Sequence, residues 1–254
     1  MTGRLAVVGL GPGAPGLRTP DAAEALSAAT DLVGYGPYLE RVPAREGQRR
    51  YPSDNREELE RARHALSLAA GGRDVALVSS GDAGVFAMAS AVFEAIDKGE
   101  PSWRSLDVEV IPGISAMFAV AARVGAPLGH DFCAISLSDN LKSWETVVRR
   151  LSAAAEAGFV IALYNPASRA RPRQLGEALA ILRRLLPAET PVIFATAVTQ
   201  PEERIDIVTL DAADPAHADM RTLVLVGSPA TCRIDRPGAA PWIYTPRSER
   251  TVAR

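Results

Sequence analysis

The sequence predicts an α/β protein made of two α/β domains, because strand-like apolar runs alternate with segments of helical periodicity along both halves. In the first half these runs are Leu5–Val8, Asp31–Val33, Val75–Val78 and Val108–Ile111. The chain has 254 residues, 47% of them hydrophobic, which suggests one large domain or two small ones, either able to bury a core. A turn-forming segment, Gly125-Ala-Pro127, marks the boundary, so we predict domains at residues 1–125 and 126–254.

The helices of the first half are predicted from capping residues and apolar stripes. Thr19 is a good N-cap, Pro20 fits the first helical position, and Asp21 lies beside the positive end of the helix dipole. A second helix is predicted from about Arg56 to Ala70, with His64 facing solvent. Its apolar stripe comprises Leu59, Ala62, Leu66 and Ala69. Helices in these connections predict a parallel sheet that they cover.

The second half repeats the alternation after a helix of small residues from about Ser115 to Arg123. Its strands are predicted at Phe132–Leu137, Phe159–Tyr164, Val192–Ala195, Arg204–Leu210 and Thr222–Val226. Helices are predicted at about Trp144–Ala155 and Pro172–Leu186. The tail beyond Ser228 is rich in Pro, Arg and Gly, so we predict irregular structure there.

Charge and composition argue against several classes of protein. The net charge is −2 and the pI about 6.0, whereas nucleic-acid binders usually carry a basic face, so we expect no nucleic-acid partner. No apolar run reaches the ~20 residues of a membrane span, so we expect no membrane association. Cys133 and Cys232 are interpreted as buried thiols of a cytoplasmic protein. His64, His130 and His217 lack metal-binding spacing, so we expect no metal ion.

The first candidate ligand loop is Gly9–Thr19, in which the letters from Gly11 to Gly16 match G-x-G-x-x-G. A dinucleotide-binding fingerprint requires a helix that begins inside the motif, so that its N-terminus faces the pyrophosphate. Pro15 and Gly16 would break such a helix, and the helix that we predict begins near Thr19. The loop therefore either lets a ligand approach its backbone without forming a phosphate cradle, or is only a tight connection.

Two further glycine-rich segments, Val78–Phe86 and Ile111–Ala116, lie at the carboxyl ends of strands of the first half. Ligands bind outside the carboxyl ends of parallel strands, where Gly81 and Gly84 would offer bare backbone and Asp82 a carboxylate. The alternative is that Asp82 caps a helix that begins near Gly84. Three such strand ends in one sheet favour a shared pocket over three independent turns.

Two clusters of polar residues lie in the second half. Arg169, Arg171 and Arg173 follow a buried strand, where arginine forks suit a polyanionic small molecule, although a solvated basic loop is the alternative. The second cluster surrounds the strand at Phe132–Leu137 and supplies groups for proton transfer. It comprises His130, Asp131, Ser138, Asp139 and Lys142, of which His130 could equally be a hydrogen-bonded structural residue.

Four successive signatures resemble those of the tetrapyrrole methylase family and cover residues 4 to about 228. They are Gly9-x-Gly-Pro-Gly13 with Leu17-x-Thr19, Ser80-Gly-Asp82, Pro112-Gly-Ile-Ser-Ala116 and Tyr164-Asn-Pro166. Longer segments resemble the branch of the family that methylates C-17 of the macrocycle, namely Val33–Leu39, Ser53–Leu59, Ser79–Val85, Gly129–Asp139 and Tyr164–Arg171. The resemblance implies a class III S-adenosylmethionine methyltransferase, a homodimer with two α/β domains and a cofactor cleft between them.

The resemblance also implies which residues bind S-adenosylmethionine. Carried over position by position, they are Pro12, Ser80, Gly81, Asp82, Val85, Ser115, Ala116, Tyr164, Asn165, Ala197 and Val198. The stretch Ala195–Glu203 departs from the arginine- and glycine-bearing version of this branch. Pro15-Gly16 also replaces an acidic residue that many relatives carry.

The implied reaction is methylation of precorrin-3B at C-17 in cobalamin biosynthesis, with contraction of the macrocycle to precorrin-4. The carboxylates of this tetrapyrrole would contact Arg169, Arg171 and Lys142. Ring contraction needs a base, for which the candidates are His130, Asp82 and Asp139. We place His130 first, because an imidazole with a pKa near 6.5 accepts a proton at neutral pH more readily than an exposed carboxylate does.

Four alternatives remain open at the level of the sequence. The substrate could be the cobalt-bound form of the same intermediate, or another tetrapyrrole. Within the same fold, the substrate could instead be RNA or a modified protein, although no basic patch or aromatic stacking platform supports RNA here. A nicotinamide-dependent reductase would rest on the G-x-G-x-x-G letters alone. A protein that binds a tetrapyrrole without chemistry would show no turnover.

Overall fold

A computed structural model describes residues 3–54, 57–168 and 170–248 of the chain. Its contacts divide the chain into two compact units, Met1–Ala116 and Met117–Arg254. The division therefore falls before the turn at residue 125, where the sequence places the domain boundary. The helix between residues 116 and 125 packs with the second unit, because the rings of Phe118 and Phe132 lie edge to face with their centres 6.2 Å apart.

The first unit contains a five-stranded parallel sheet, as the alternation of strands and helices predicts. Its strands are β1 (Arg4–Gly9), β2 (Asp31–Tyr35), β3 (Arg49–Ser53), β4 (Val75–Ser79) and β5 (Asp107–Ile111). They lie in the order β3-β2-β4-β1-β5. The edge strand β3 is not predicted from the sequence, because its residues, Arg-Arg-Tyr-Pro-Ser, do not form an apolar run.

Helices cover both faces of this sheet. They are α1 (Pro20–Ala28), α2 (Gly36–Leu39), α3 (Glu58–Ala70) and α4 (Met88–Lys98). Leu5 and Val7 of β1 pack into a core with α3 and α4, whereas Ala6 and Val8 pack into a second core with α1 and α2. With both faces buried, the loops at the strand ends carry the accessible polar groups of the sheet.

The predicted start of α1 is confirmed, since the Thr19 side chain accepts a hydrogen bond from the Ala22 N–H. The predicted stripe of α3 is buried except for Leu59, which is 38% exposed. The first turn of α3 is anchored instead by the buried Arg61, whose guanidinium donates to Ser53 Oγ at 2.7 Å. His64 is exposed as predicted, and Arg56 lies outside the described residues.

The second unit contains two sheets. Its strands are β6 (Gly125–Ala126), β7 (Phe132–Ser136), β8 (Val160–Tyr164), β9 (Pro191–Thr196), β10 (Arg204–Thr209), β11 (Thr222–Val226), β12 (Cys232–Arg236) and β13 (Ala239–Tyr244). The helices that flank them are α5 (Ala116–Val124), α6 (Trp144–Glu156) and α7 (Gln174–Leu182). The larger sheet has the order β10-β9-β11-β8-β7 and is mixed: β7 and β8 are parallel, and the other neighbours are antiparallel.

The predicted alternation therefore holds only from β7 to β9. No α-helix lies in the described connections 197–203, between β9 and β10, and 210–221, between β10 and β11. Connections without a crossover helix suit antiparallel neighbours. The prediction of an irregular tail is wrong, since β12 and β13 form a hairpin whose second strand also pairs with β6. The hairpin is held by the buried Ile243 and by the Arg236 guanidinium, which lies 4.3 Å from the ring centre of Trp242.

Candidate active site

Three glycine-rich loops meet at the carboxyl ends of β1, β4 and β5, as the sequence predicts. Gly11 and Gly81 exchange two backbone hydrogen bonds of 3.0 Å, and their φ angles of +75° and +64° favour glycine. A Cβ atom on Gly113 would lie 2.2 Å from the Gly81 carbonyl oxygen. These glycines are therefore needed for contact between the loops themselves, which brings the three strand ends together.

The G-x-G-x-x-G letters do not form a dinucleotide-binding turn. Pro15–Leu17 is a single 3₁₀ turn, and α1 begins only at Pro20. No α-helix N-terminus therefore starts inside the motif to face a pyrophosphate. The structure agrees with the exclusion made from the sequence.

The Asp82 carboxylate joins two of the three loops. Its Oδ1 accepts a hydrogen bond from the Gly84 N–H at 2.8 Å, and its Oδ2 accepts one from the Gly113 N–H at 3.0 Å. The next helix, α4, begins at Met88 and has no side-chain cap. The capping alternative is therefore wrong, and Asp82 instead holds the end of β4 against the end of β5.

The other candidate cofactor contacts of the first unit lie on the same three loops. Pro12 and Ser115 are buried, whereas Ser80, Val85 and Ala116 are half-buried. Each loop thus presents small side chains beside its backbone, which suits a ligand that contacts main-chain groups.

Arg41 also reaches these loops, and the sequence reasoning did not identify it. Its Nη1 donates to Ser80 Oγ at 3.0 Å, and its Nη2 donates to the Gly11 carbonyl at 2.8 Å. Burial lowers the pKa of Arg41, Tyr38 opposes this shift, and the positive charge of Arg18 adds to it. A basic residue soon after the end of β2, a fourth strand end of the same sheet, is the signal that could have found it.

In the second unit, Tyr164 and Asn165 lie at the carboxyl end of β8. Asn165 has a φ of +53°, and its Nδ2 donates to Ser136 Oγ at the end of β7, at 2.9 Å. The Tyr164 hydroxyl accepts a hydrogen bond from the Met117 N–H at 3.3 Å. Asn165 therefore links two neighbouring strand ends in a conformation that asparagine tolerates better than most residues.

Ala197 and Val198 follow β9 and are buried. Because β8 and β9 both run antiparallel to β11, the carboxyl ends of β8 and β9 lie at the same edge of the sheet. Ala197 has a φ of +49°, and Thr199 has a φ of +67°. Non-glycine residues in this region are uncommon, and such strain is concentrated at functional sites, which marks this loop as a candidate ligand contact.

The basic segment after β8 also lies near Asn165. The Arg171 Nη1 donates to the Asn165 carbonyl at 3.3 Å, and Arg173 is exposed. Arg169 lies outside the described residues. Lys142 is half-buried, and burial together with the charge of Arg150 lowers the pKa of its ammonium group.

His130 and Asp139 lie beyond opposite ends of β7. His130 precedes the strand, with its Nδ1 3.7 Å from Asp131 Oδ2, and lines a cavity of about 200 Å³ with Ser228 and Thr245. Asp139 follows the strand, and its Oδ2 accepts a hydrogen bond from Gln174 Nε2 at 3.1 Å. Five strand residues span about 16 Å, so the structure does not bring these two candidate bases together.

Among the described residues, no group of three or more His, Cys, Asp or Glu side chains could hold a metal ion. No helix of this part of the chain is long and apolar enough to cross a membrane. Cys133 and Cys232 are free and half-buried rather than fully buried. Burial raises the pKa of the Cys133 thiol.

The family model for tetrapyrrole (corrin/porphyrin) methylases matches residues 4–214. The chain is 60% identical over 247 residues to a precorrin-3B C(17)-methyltransferase of a Sinorhizobium species, covering 97% of each chain. It is 43% identical over 230 residues to a probable cobalt-factor III C(17)-methyltransferase of Salmonella typhimurium, covering 89% of this chain and 93% of the relative. The crystal structure of the methyltransferase CobJ matches with a TM-score of 0.92 and 53% identity, covering 96% of this chain and 100% of the other.

Proposed function

Because the chain belongs to the family of tetrapyrrole (corrin/porphyrin) methylases, we propose that it transfers a methyl group from S-adenosylmethionine to C-17 of precorrin-3B. It is a methyltransferase of cobalamin biosynthesis. The proposed reaction includes contraction of the macrocycle to precorrin-4. The meeting of three glycine-rich strand ends, in a chain that matches the family over residues 4–214, carries the proposal.

The residues at these strand ends fit S-adenosylmethionine. That ligand has a carboxylate, an ammonium group, ribose hydroxyls and an adenine ring. The first unit offers backbone N–H and carbonyl groups, the Ser80 hydroxyl and the Asp82 carboxylate, and the second offers the Asn165 amide. We propose that the contacts of the first unit are Pro12, Ser80, Gly81, Asp82, Val85, Ser115 and Ala116, and those of the second Tyr164, Asn165, Ala197 and Val198.

The protein contributes to methyl transfer mainly by positioning. The bound donor supplies a methyl group on a sulfonium, which a carbon nucleophile of the macrocycle takes directly. Holding sulfur, methyl and carbon in line lowers the barrier by up to about 7–11 kcal/mol. The hydrogen bond from the Gly113 N–H to Asp82 and the hydrogen bond from Asn165 to Ser136 join the strand-end loops that would position the donor.

The peripheral carboxylates of the tetrapyrrole are proposed to bind the basic groups of the second unit. Arg171 lies beside Asn165, and Lys142, like Asp139, follows the carboxyl end of β7. Arginine binds carboxylates through two parallel hydrogen bonds, and lysine acts as a point charge. Arg169 remains a proposed third contact.

Ring contraction needs a base, because a tertiary hydroxyl of the macrocycle loses its proton as a ring bond migrates and the bridging carbon becomes an acetyl group. Both carboxylate oxygens of Asp82 already accept backbone hydrogen bonds. His130 lies at the amino end of β7, away from Asn165. We therefore propose Asp139 as the base, since it follows the carboxyl end of β7, where ligands of parallel strands bind.

The cobalt-bound form of the substrate is the second candidate, favoured by the 43% identity to a probable cobalt-factor III C(17)-methyltransferase. Parallel assays with metal-free and cobalt-bound intermediates separate the two. Faster turnover of the cobalt-bound form would replace precorrin-3B in the proposal.

We also propose a cytoplasmic homodimer, as the family resemblance implies. Sedimentation-equilibrium analysis checks the assembly: twice the chain mass of 26.9 kDa supports it, and the chain mass itself contradicts it.

Calorimetric titration with S-adenosylhomocysteine and, separately, with NAD and NADP tests the cofactor. We expect binding of S-adenosylhomocysteine alone, because no helix begins inside the G-x-G-x-x-G letters. Tight binding of a dinucleotide without binding of S-adenosylhomocysteine would overturn the proposed function.

A further inference from the structure

On the basis of the proposed function, we infer that Arg18 and Arg41 form a carboxylate-binding site at the carboxyl end of the first sheet. Two ligands of the proposed reaction carry this group, since a carboxylate is present on the amino-acid part of the cofactor and on the peripheral side chains of a tetrapyrrole. Arg41 would be the principal contact, and Arg18 would add a second positive charge.

The position of Arg41 places its guanidinium among candidate cofactor loops. Arg41 follows α2, and its two terminal nitrogens donate to the Gly11 carbonyl and to the Ser80 hydroxyl. Arg18 lies on the loop after β1, and its Nη2 donates to the Arg41 carbonyl at 2.9 Å. Two arginines are thus fixed beside two of the three strand ends that meet in this unit.

The positive charge of this pair is not neutralised within the described part of the chain. Neither Arg18 nor Arg41 forms an ion pair with a carboxylate there, and the buried Arg18 Nε has no hydrogen-bond partner there. A guanidinium has five N–H donors, so two hydrogen bonds leave donors of Arg41 for a ligand. Adjacent cations that are partly removed from water are unfavourable, and a bound anion relieves that cost.

Other partly buried arginines of the first unit have partners that explain them. Arg73 pairs with the buried Asp31 at 2.8 Å. Arg50 donates to three backbone carbonyls of the segment that also carries Arg41, namely those of Leu39, Val42 and Pro43. Arg50 is therefore a structural arginine that holds this segment. The exposed Arg49, next to it on the edge strand β3, supplies the control for loss of one positive charge in this region.

The test compares the wild type with Arg41→Gln and Arg18→Gln in their interaction with three ligands. Calorimetry gives the Kd of S-adenosylhomocysteine and of methylthioadenosine, which lacks the amino-acid carboxylate, and a turnover assay gives the KM of precorrin-3B. We expect Arg41→Gln to weaken the binding of one of the carboxylate ligands about 10- to 100-fold. Arg18→Gln is expected to weaken the binding of the same ligand to a smaller extent. If S-adenosylhomocysteine binds more weakly and the affinity for methylthioadenosine is unchanged, the group bound by Arg41 is the carboxylate of the cofactor. If the KM for precorrin-3B rises and both Kd values are unchanged, the group bound by Arg41 is a carboxylate of the substrate.

Arg49→Gln is expected to leave all three values unchanged, and Arg41→Lys is expected to restore part of the affinity lost in Arg41→Gln. Thermal unfolding followed by circular dichroism verifies that each variant is folded. The inference is overturned if Arg41→Gln changes none of the three values, if it weakens binding of methylthioadenosine as much as binding of S-adenosylhomocysteine, or if Arg49→Gln has the same effect as Arg41→Gln. A wild-type protein that neither binds S-adenosylhomocysteine nor converts precorrin-3B would instead overturn the proposed function.

Discussion

The Oδ2 atom of Asp82 accepts a hydrogen bond of 3.0 Å from the backbone N–H of Gly113, which ties the end of β4 to the end of β5. This contact crosses between two loops that are far apart in sequence, and it brings both to the strand end of β1. A short carboxylate and a glycine are both needed, because a Cβ on Gly113 would collide with the Gly81 carbonyl.

Replacing Asp82 by asparagine is expected to weaken S-adenosylhomocysteine binding about 10-fold or more, because an amide N–H₂ cannot accept one of the two backbone hydrogen bonds. Calorimetry measures the loss, and thermal unfolding verifies the fold. Asp74→Asn is the control, since Asp74 is exposed and precedes β4 at its other end. Wild-type affinity in Asp82→Asn would remove Asp82 from the cofactor site.

Two substitutions of Asn165 separate its backbone from its side chain. Both Asn165→Gly and Asn165→Ala remove the hydrogen bond to Ser136, but only alanine is strained at a φ of +53°. We expect Asn165→Ala to be less stable than Asn165→Gly by about 1–2 kcal/mol in urea unfolding. Equal stabilities would show that the left-handed conformation is not maintained. Equal loss of S-adenosylhomocysteine affinity in both variants would assign the binding role to the side chain.

Arg171→Gln is expected to raise the KM for precorrin-3B by about 10- to 100-fold, the effect of losing one shielded hydrogen bond to a charged group. The affinity for S-adenosylhomocysteine should hardly change. Arg173→Gln removes the same charge from an exposed position of the same segment and is expected to leave the KM near that of the wild type. A similar rise in both variants would point to general electrostatic attraction by a solvated basic loop.

Asp139→Asn is expected to retain S-adenosylhomocysteine binding and to slow product formation by about 10²-fold or more, because a positioned base is lost. A methylated but uncontracted macrocycle should accumulate. His130→Ala is expected to keep the single-turnover rate, since His130 lies at the opposite end of β7. If product formation is slow in His130→Ala and normal in Asp139→Asn, the base is the His130 imidazole. If both variants form product at the normal rate, Asp82 is the remaining candidate base.

Asp31 makes stability depend on pH. Its buried carboxylate accepts hydrogen bonds from Arg73 Nε at 2.8 Å, the Thr30 hydroxyl at 2.6 Å and the Tyr51 hydroxyl at 3.1 Å. Burial raises the pKa of Asp31, but these hydrogen bonds outweigh burial and hold it below its usual value. A carboxyl with a lowered folded pKa stabilises the protein above its unfolded pKa of about 3.9, and this stability is lost as pH falls through the folded value.

The free energy of unfolding should therefore decrease as the pH falls below about 4. Asp31→Asn should be less stable than the wild type by about 1–3 kcal/mol at neutral pH, and less sensitive to acid. Urea unfolding at neutral and acidic pH measures both quantities. The same acid sensitivity in Asp31→Asn would assign the effect to other carboxylates.

The first unit is well predicted from sequence because its signals are local. The apolar runs of β1, β2, β4 and β5 and the cap at Thr19 each specify their own element. The start of α4 is mispredicted near Gly84, because the Asp82 side chain binds the Gly84 N–H as part of a loop and not as a helix cap. Sequence spacing cannot reveal that the second oxygen of Asp82 is bound to Gly113.

The second unit is predicted less completely because its arrangement depends on pairing between distant strands. Whether β11 inserts between β8 and β9 is decided by tertiary contacts, and nothing in the apolar run Thr222–Val226 specifies it. The hairpin of β12 and β13 is hidden by turn-forming residues and depends on pairing with β6. Arg41 was missed for a similar reason, since its contacts with Gly11 and Ser80 exist only in the folded sheet.

The central claim is tested most directly by incubating the purified protein with precorrin-3B and S-adenosylmethionine labelled in its methyl group, and recording the mass and absorption spectrum of the product. The proposed function predicts a labelled product that is one methylene unit heavier than precorrin-3B and has the spectrum of a contracted macrocycle. Unchanged precorrin-3B, from a protein that binds S-adenosylhomocysteine normally, would contradict it.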